Sequence, residues 1–168
     1  MPEILRNLEK RQRVYSSKAI IYNGTPEVLL VHHRHGEWIL PGGKNEPDEG
    51  HTVFDLLNKT LWRELREELG LSEKEITELK QRPYYCVGSC EWYHGDVITK
   101  EIISAIYLGG SNRLGLSIDK ESDEIFEAGW FNPFHFPTDL NIPRNTLESV
   151  KRLMDILTRH TRAGYRTI

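Results

Sequence analysis

The stretch RELREELGL, residues 63–71, ends the most regular helical pattern in this chain. Apolar residues recur at every fourth position, the spacing of one α-helical face: Leu57, Leu61, Leu65 and Leu69. Gly70 follows, and glycine is the residue that most often closes a helix in the left-handed conformation. The pattern therefore predicts a helix over residues 52–69 that buries its leucines in the core.

Three carboxylates occupy a second face of this predicted helix. Glu64, Glu67 and Glu68 are spaced i, i+3 and i+4, so their side chains lie next to one another. Carboxylates held this close repel, and a hard divalent cation would turn that repulsion into attraction because it prefers oxygen ligands. A solvated acidic face, in which an ion pair between Arg63 and Glu67 reduces the repulsion, explains the same residues without a metal.

A glycine-rich turn upstream favours the metal-site interpretation. The sequence PGGK, residues 41–44, directly follows the apolar run WIL, residues 38–40, which is predicted to be a strand. Two consecutive glycines let the backbone come close to a ligand, and they leave a carbonyl free to face a metal. The turn and the helix together suggest one site.

The turn and the helix resemble the Nudix box of the Nudix hydrolases, G-x5-E-x7-R-E-U-x-E-E-x-G-U, where U is a bulky aliphatic residue. Gly43 to Glu49 fits the first interval, and residues 63–71 fit every fixed position of the second half. The segments at residues 38–40 and 124–131 also look like the family, so the resemblance covers most of the chain. It implies an α/β fold, the Nudix-type α/β/α sandwich with a central mixed sheet.

The resemblance also implies an activity: a pyrophosphohydrolase that uses Mg²⁺ or Mn²⁺ to cleave a nucleoside diphosphate linked to another moiety, X, by attack of water. The implied metal ligands are the Gly42 carbonyl, Glu64, Glu67 and Glu68. Glu64 would bind metal or help to activate water, and Arg63 would orient the carboxylates by charge-assisted hydrogen bonds. Gly43 and Lys44 would contact the substrate.

The chain departs from the family pattern at one point. Thirteen residues separate Glu49 from Arg63 where the family has seven, an insertion of six. Counting forward from Gly43 makes Glu49 the first carboxylate of the box, and counting back from Arg63 makes it Asp55. Six residues inside a regular helix would rotate the preceding part by roughly 240°. We therefore expect an extra turn or a bulging loop at residues 50–54, and we favour Glu49.

An acidic loop before the last predicted strand offers a further catalytic acid, as in many family members. Glu124 is our first choice, and Glu121 and Asp123 are the alternatives. A solvated acidic loop explains any one of the three equally well.

Composition describes an ordinary globular protein. The 168 residues are 38% hydrophobic and 28% charged, which predicts a single domain over residues 1–168. The net charge of −3 argues against a nucleic-acid partner held by the overall field. No apolar run is long enough to span a membrane, and the two cysteines suit a reducing compartment, so we expect a cytoplasmic protein. Homodimers are common in the family, and the sequence leaves the oligomeric state open.

Periodicity predicts the remaining elements. Strands are expected at residues 14–22, 28–31, 38–40, 84–92, 97–108 and 129–131. A C-terminal helix is expected at residues 145–160, with Asn145 and Glu148 at capping-box spacing, and residues 1–13 suggest a short N-terminal helical extension. Cys86, Cys90 and His94 are spaced four apart, but structural zinc sites use tighter pairs and a fourth ligand, so no zinc is expected.

Two other functions remain open from the sequence. One is an isomerase on the same fold that acts on an isoprenoid diphosphate, and the complete second half of the box argues against it. The other is a non-catalytic nucleotide-binding or regulatory module, to which the six-residue insertion gives weight. Metal-dependent release of phosphate from nucleotides would separate both from the hydrolase.

Overall fold

A computed structural model of the chain describes residues 12–50, 52–94, 96–118 and 124–162. Within these ranges the strands are β1 (Gln12–Tyr22), β2 (Val28–His33), β3 (Trp38–Ile39), β4 (Gly42–Lys44), β5 (Tyr84–His94), β6 (Val97–Tyr107) and β7 (Ile125–Phe131). The helices are α1 (Val53–Asp55), a π-helical segment (Leu56–Thr60), α2 (Leu61–Leu69), α3 (Glu73–Lys80) and α4 (Arg144–Arg162). None of the helices in the described ranges is long and apolar enough to cross a membrane.

The strands form one mixed sheet in which β1 is the organising member. It runs parallel to β6 along its whole length, and β5 adds to β6 in the antiparallel direction. Strand β2 pairs with β1 only at its start, and it carries β3 and β7 as antiparallel neighbours. Strand β4 pairs with the middle of β1, so that Lys18 lies opposite Gly42. The glycine-rich turn is thereby fixed to the centre of the sheet.

Helices cover both faces of this sheet. Successive side chains of a strand point to opposite faces, so β1 supplies Ala19 and Ile21 to one core cluster and Ile20 and Tyr22 to the other. The first cluster packs against the leucines of α2, and the second packs against α4. The predicted α/β/α sandwich with a central mixed sheet is confirmed.

The predicted helix over residues 52–69 forms, with a π-helical interruption. The Leu61 N–H donates to the carbonyl of Leu56, five residues back, where a regular α-helix would use Leu57. Leu56 is therefore fully buried, and Leu57, which the four-residue repeat assigns to the core, is only half-buried. The predicted four-residue repeat therefore assigns the wrong residue to the core at this one turn, because a π turn contains an extra residue.

The six-residue insertion forms an added helical turn ahead of this segment. Gly50 turns the chain in a left-handed conformation (φ +86°), and Thr52 then caps α1. Thr52 and Asp55 form a reciprocal capping box, in which the Thr52 N–H donates to the Asp55 carboxylate at 3.3 Å and the Thr52 hydroxyl accepts from the Asp55 N–H at 3.1 Å. The added turn is thus stabilised by its own residues.

The helices differ from the sequence-based prediction at two places. Helix α3 was not predicted, although Ser72 and Glu75 form a capping box at its start. The proposed capping box of Asn145 and Glu148 is wrong: α4 already begins at Arg144, because the Pro143 carbonyl accepts the first helical hydrogen bond from the Leu147 N–H. The predicted N-terminal extension falls outside the described residues except for residues 12–13, which belong to β1.

Substitution of Gly70, the residue that ends α2, tests whether the close packing at this position contributes to stability. Gly70 is left-handed (φ +64°), and an alanine methyl group there would overlap the backbone carbonyl of Ser117. Gly36 is also left-handed (φ +80°), but nothing lies within 4 Å of an added methyl group. We expect Gly36→Ala to cost about 1 kcal/mol from the left-handed conformation and Gly70→Ala about 3 kcal/mol, since overpacking adds to it. Urea denaturation measures both, and equal losses would contradict this packing.

Candidate active site

The two halves of the Nudix box meet at a hydrogen bond between β4 and α2. The Gly42 N–H donates to the Glu68 carboxylate at 2.6 Å. Gly42 has φ +121°, and a side chain there would overlap the Ser17 carbonyl of the neighbouring strand. Glycine is therefore required both by the backbone conformation and by the close approach of β4 to β1.

Gly43 makes room for the second carboxylate. A methyl group on Gly43 would overlap the carboxyl group of Glu64, so the missing side chain allows Glu64 to lie against the turn. Burial raises the pKa of Glu64, while the neighbouring Arg63 opposes that shift. Burial also raises the pKa of Glu68, to about 7, against the opposing effects of Lys18 and of the Gly42 N–H. Two carboxyl groups are thus held in a poorly solvated place.

Arg63 joins the first carboxylate of the box to the helix. Its Nε lies 2.8 Å from Glu49 Oε1 and its Nη2 lies 3.2 Å from Glu49 Oε2, a two-pronged contact. The hydroxyl of Thr60, in the π-helical segment, donates to the same carboxylate at 2.9 Å. Burial alone would raise the pKa of Glu49, but the hydrogen bonds from Arg63, the Glu46 N–H and Thr60 hold it at about 2.

Asp55 lies in the insertion, away from Arg63. Its carboxylate caps α1 through Thr52 and pairs with Lys59 at 3.1 Å on the exposed side of the added turn. Of the two candidates for the first carboxylate of the box, the structure therefore places Glu49 beside Arg63 and uses Asp55 in the insertion. Thr60 was missed by the sequence analysis, and its polar character within an otherwise leucine-rich stretch is the signal that could have found it.

The predicted acidic face of α2 separates into two parts. Glu64 and Glu68, one helical turn apart, face the turn of β4, whereas the Glu67 side chain is 56% exposed. Glu67 pairs with Arg63 Nη1 at 2.9 Å, and Arg63 Nη2 lies 3.0 Å from Glu64. Arg63 therefore contacts two of the three carboxylates of this face, Glu64 and Glu67, whereas the Gly42 N–H holds Glu68.

These groups open onto a cavity of about 500 Å³, which we call the carboxylate cleft. Acidic side chains from α2, from β6 and from the segment just before β7 line it: Glu64, Glu68, Glu101 and Glu124. Basic and imidazole side chains line it as well: Lys18, His33, Arg34, His35 and Lys44. Glu124, the first choice for the late acid, is thus brought to the cleft, whereas Glu121 and Asp123 lie outside the described residues. Lys18 was missed by the sequence analysis, although a lysine within the apolar run of β1 is an unusual placement.

The donor set of the cleft suits a hard cation. Carboxylate and carbonyl oxygens are the ligands that Mg²⁺ and Mn²⁺ prefer. The nearby Glu64 helps to raise the pKa of Glu68, and a cation would relieve this repulsion. No three His, Cys, Asp or Glu side chains are preassembled as a metal cage within the described ranges. The Gly42 carbonyl accepts a hydrogen bond from Lys18.

Comparison with known proteins identifies the family. A model of the Nudix domain matches residues 13–150. The chain belongs to the Nudix family. Its fold is similar to a MutT protein of Methanosarcina mazei Go1, with 20% identity and a TM-score of 0.64 over 88% of this chain and 97% of that one. None of the curated proteins matches the chain.

Two further solved structures share the Nudix fold at low identity. An Ap4A hydrolase of C. elegans is 14% identical, with a TM-score of 0.60 over 86% of this chain and 98% of that one. The dihydroneopterin triphosphate pyrophosphohydrolase of E. coli is 16% identical, with a TM-score of 0.60 over 84% and 95%. The predicted family is confirmed, and as a Nudix hydrolase the protein acts on phosphoric anhydride bonds.

Two acid-to-amide substitutions distinguish Glu49 from Asp55. We expect Glu49→Gln to lower the free energy of unfolding by about 2 kcal/mol, because Arg63 loses its charged partner in a buried place. It should also lower hydrolytic activity, because Arg63 then no longer fixes the Nudix helix against the turn. Asp55→Asn, which changes only an exposed cap, should cost less and leave activity near wild type. Urea denaturation measures the stability of the two variants, and a hydrolysis assay measures their activity. Larger losses in Asp55→Asn than in Glu49→Gln would make Asp55 the first carboxylate of the box.

Proposed function

We propose that this Nudix hydrolase is a divalent-metal-dependent pyrophosphohydrolase that cleaves a nucleoside diphosphate linked to another moiety, X, by attack of water. The contact of Gly42 with Glu68 carries this proposal, since it joins the glycine turn to the acidic helix at one cleft. The activities for which two fold relatives are named, Ap4A hydrolysis and pyrophosphohydrolysis of dihydroneopterin triphosphate, support a nucleotide-type substrate.

The residues that would hold the metal lie on two elements. Glu64 and Glu68 would bind it from α2 and the Gly42 carbonyl from β4, with Glu67 added from the exposed rim. Nudix hydrolases generally use divalent metal ions, and Mg²⁺ or Mn²⁺ fits a set made only of oxygen atoms. When bound, the cation would neutralise pyrophosphate oxygens and lower the pKa of a water molecule.

The chain's own groups would orient the reactants and accept a proton. Glu64, held at 3.0 Å by Arg63, is the proposed acceptor of the proton from the attacking water. Glu124, which precedes β7, would provide a second acid in the same cleft. Arg63 would keep Glu64 and Glu67 in place, with Glu49 holding Arg63 in turn.

Positive charge at the cleft would bind the substrate's phosphates. Lys44 and Arg34 line it, and the bare backbone of Gly43 leaves space for phosphate oxygens close to the turn. This arrangement fits a small anionic substrate, and the net charge of −3 fits a small-molecule partner better than a nucleic acid. A cytoplasmic location and a homodimer belong to the same proposal and rest on composition and family resemblance.

Metal dependence and substrate class are tested together. The purified protein is treated with EDTA and assayed on nucleoside triphosphates, nucleotide sugars, dinucleoside polyphosphates and capped RNA for release of a nucleoside phosphate and of the phosphorylated second product. We expect no activity with EDTA, recovery with Mg²⁺ or Mn²⁺, and a loss of at least about 100-fold in Glu68→Gln, because an amide cannot supply the charged oxygen. Glu78→Gln, on the exposed side of α3, is the matched control and should keep full activity.

Other outcomes would overturn the proposal. Turnover that persists in EDTA, or a fully active Glu68→Gln variant, would remove the metal role of this carboxylate. Tight nucleotide binding without any hydrolysis of the anhydride bond would favour the non-catalytic module. Conversion of an isoprenoid diphosphate without hydrolysis would favour the isomerase.

A further inference from the structure

Lys18 occupies a position set by the pairing of β1 with β4. It lies directly opposite Gly42 in the antiparallel register, and the adjacent Ala19 N–H donates to the Pro41 carbonyl at 2.8 Å. A side chain on Gly42 would lie within 2.9 Å of the Lys18 Cα, so the two backbones meet with nothing between them. The Lys18 side chain is half-buried and opens onto the carboxylate cleft.

The ammonium group of Lys18 contacts an oxygen atom that the proposed function assigns to the metal. It donates a hydrogen bond to the Gly42 carbonyl oxygen. Its charge also favours the ionised forms of Glu68 and Glu64, whereas Glu124 disfavours ionisation of Glu68. Lys18 therefore supplies positive charge to the same groups that would ligate the cation.

We propose that Lys18 is an internal counter-ion that competes with the divalent cation for the Gly42 carbonyl and the carboxylates of α2, and so sets the metal affinity of the site. The inference rests on the proposed function, from which it takes the ligand set. An ammonium group and a divalent cation repel each other strongly at close range where solvent is excluded. Metal entry therefore requires the ammonium group to leave the Gly42 carbonyl.

The displaced ammonium group has a second role. Lys18 stays anchored in β1, so its side chain remains in the cleft where the phosphates of the substrate would bind. Binding of metal thereby releases a phosphate-binding group, and occupation of that group by phosphate removes the competitor of the metal. By linkage, each event strengthens the other by the same factor.

Lys44 provides a matched control within the same cleft. Lys44 lies on β4, opposite Ser16 of β1, and lines the same cleft as Lys18. Arg63, rather than Lys44, donates to the backbone carbonyl of residue 44, at 2.8 Å. Lys44→Met removes the same charge as Lys18→Met and leaves the hydrogen bond of Lys18 to the Gly42 carbonyl in place.

Binding of Mn²⁺ tests the inference without any assay of activity. The metal-free protein is titrated with Mn²⁺, and free Mn²⁺ is counted by electron paramagnetic resonance. We expect Lys18→Met to lower the dissociation constant by about tenfold or more, equivalent to about 1.4 kcal/mol. Lys44→Met should change it by less than about threefold, because a charge without direct contact is screened. Unchanged or weaker binding in Lys18→Met, or an equal gain in both variants, would overturn the inference.

Two further variants keep the test decisive. Lys18→Gln replaces Lys18→Met if circular dichroism shows that the methionine variant is unfolded, and the same gain is expected. Glu68→Gln separates this inference from the proposed function. If Glu68→Gln loses Mn²⁺ while both Lys18 variants bind like wild type, only the role of Lys18 fails. If wild type and Glu68→Gln both bind no Mn²⁺, the proposed metal site fails as well.

Discussion

The hydrogen bond from the Gly42 N–H to the Glu68 carboxylate is the constraint on which the rest of the site depends. It fixes the acidic face of α2 against β4, and β4 is itself fixed by its pairing with β1 at the centre of the sheet. Both glycines of the turn are needed for this approach, Gly42 for its backbone conformation and Gly43 for the space taken by Glu64. Fold and site are therefore built from the same few contacts.

The insertion shows how a helix can lengthen without moving its functional face. The added turn is capped by Thr52 and Asp55, and the π-helical segment adjusts the helical phase so that Leu56 enters the core. The same segment presents Thr60 to Glu49, which stays beside Arg63. The extra residues thus lie between Glu49 and Arg63 in the chain and leave the contact between these two side chains unbroken.

Local patterns predicted most of the fold, and the failures have physical causes. The spacing of the Nudix box identified the family, and its front half pointed to Glu49 because that turn is local. The four-residue leucine repeat predicted that Leu57 is a core residue, because a π turn leaves no periodic signal in the sequence. Helix α3 was overlooked although Ser72 marks its start. Lys18 stands out in the apolar run of β1, but its contact with Gly42 could not be predicted from sequence, since it depends on the pairing of two strands that are distant in the chain.

The central claim is that both halves of the Nudix box form one metal-binding cleft despite the insertion. The ¹H–¹⁵N NMR spectrum of the protein, recorded with substoichiometric Mn²⁺, tests it most directly, because a paramagnetic ion broadens the signals of nearby amides. The account predicts the strongest broadening at Gly42, Gly43, Glu64 and Glu68, with much less at Asp55. Broadening centred on the added turn, or spread evenly over the acidic surface, would contradict it.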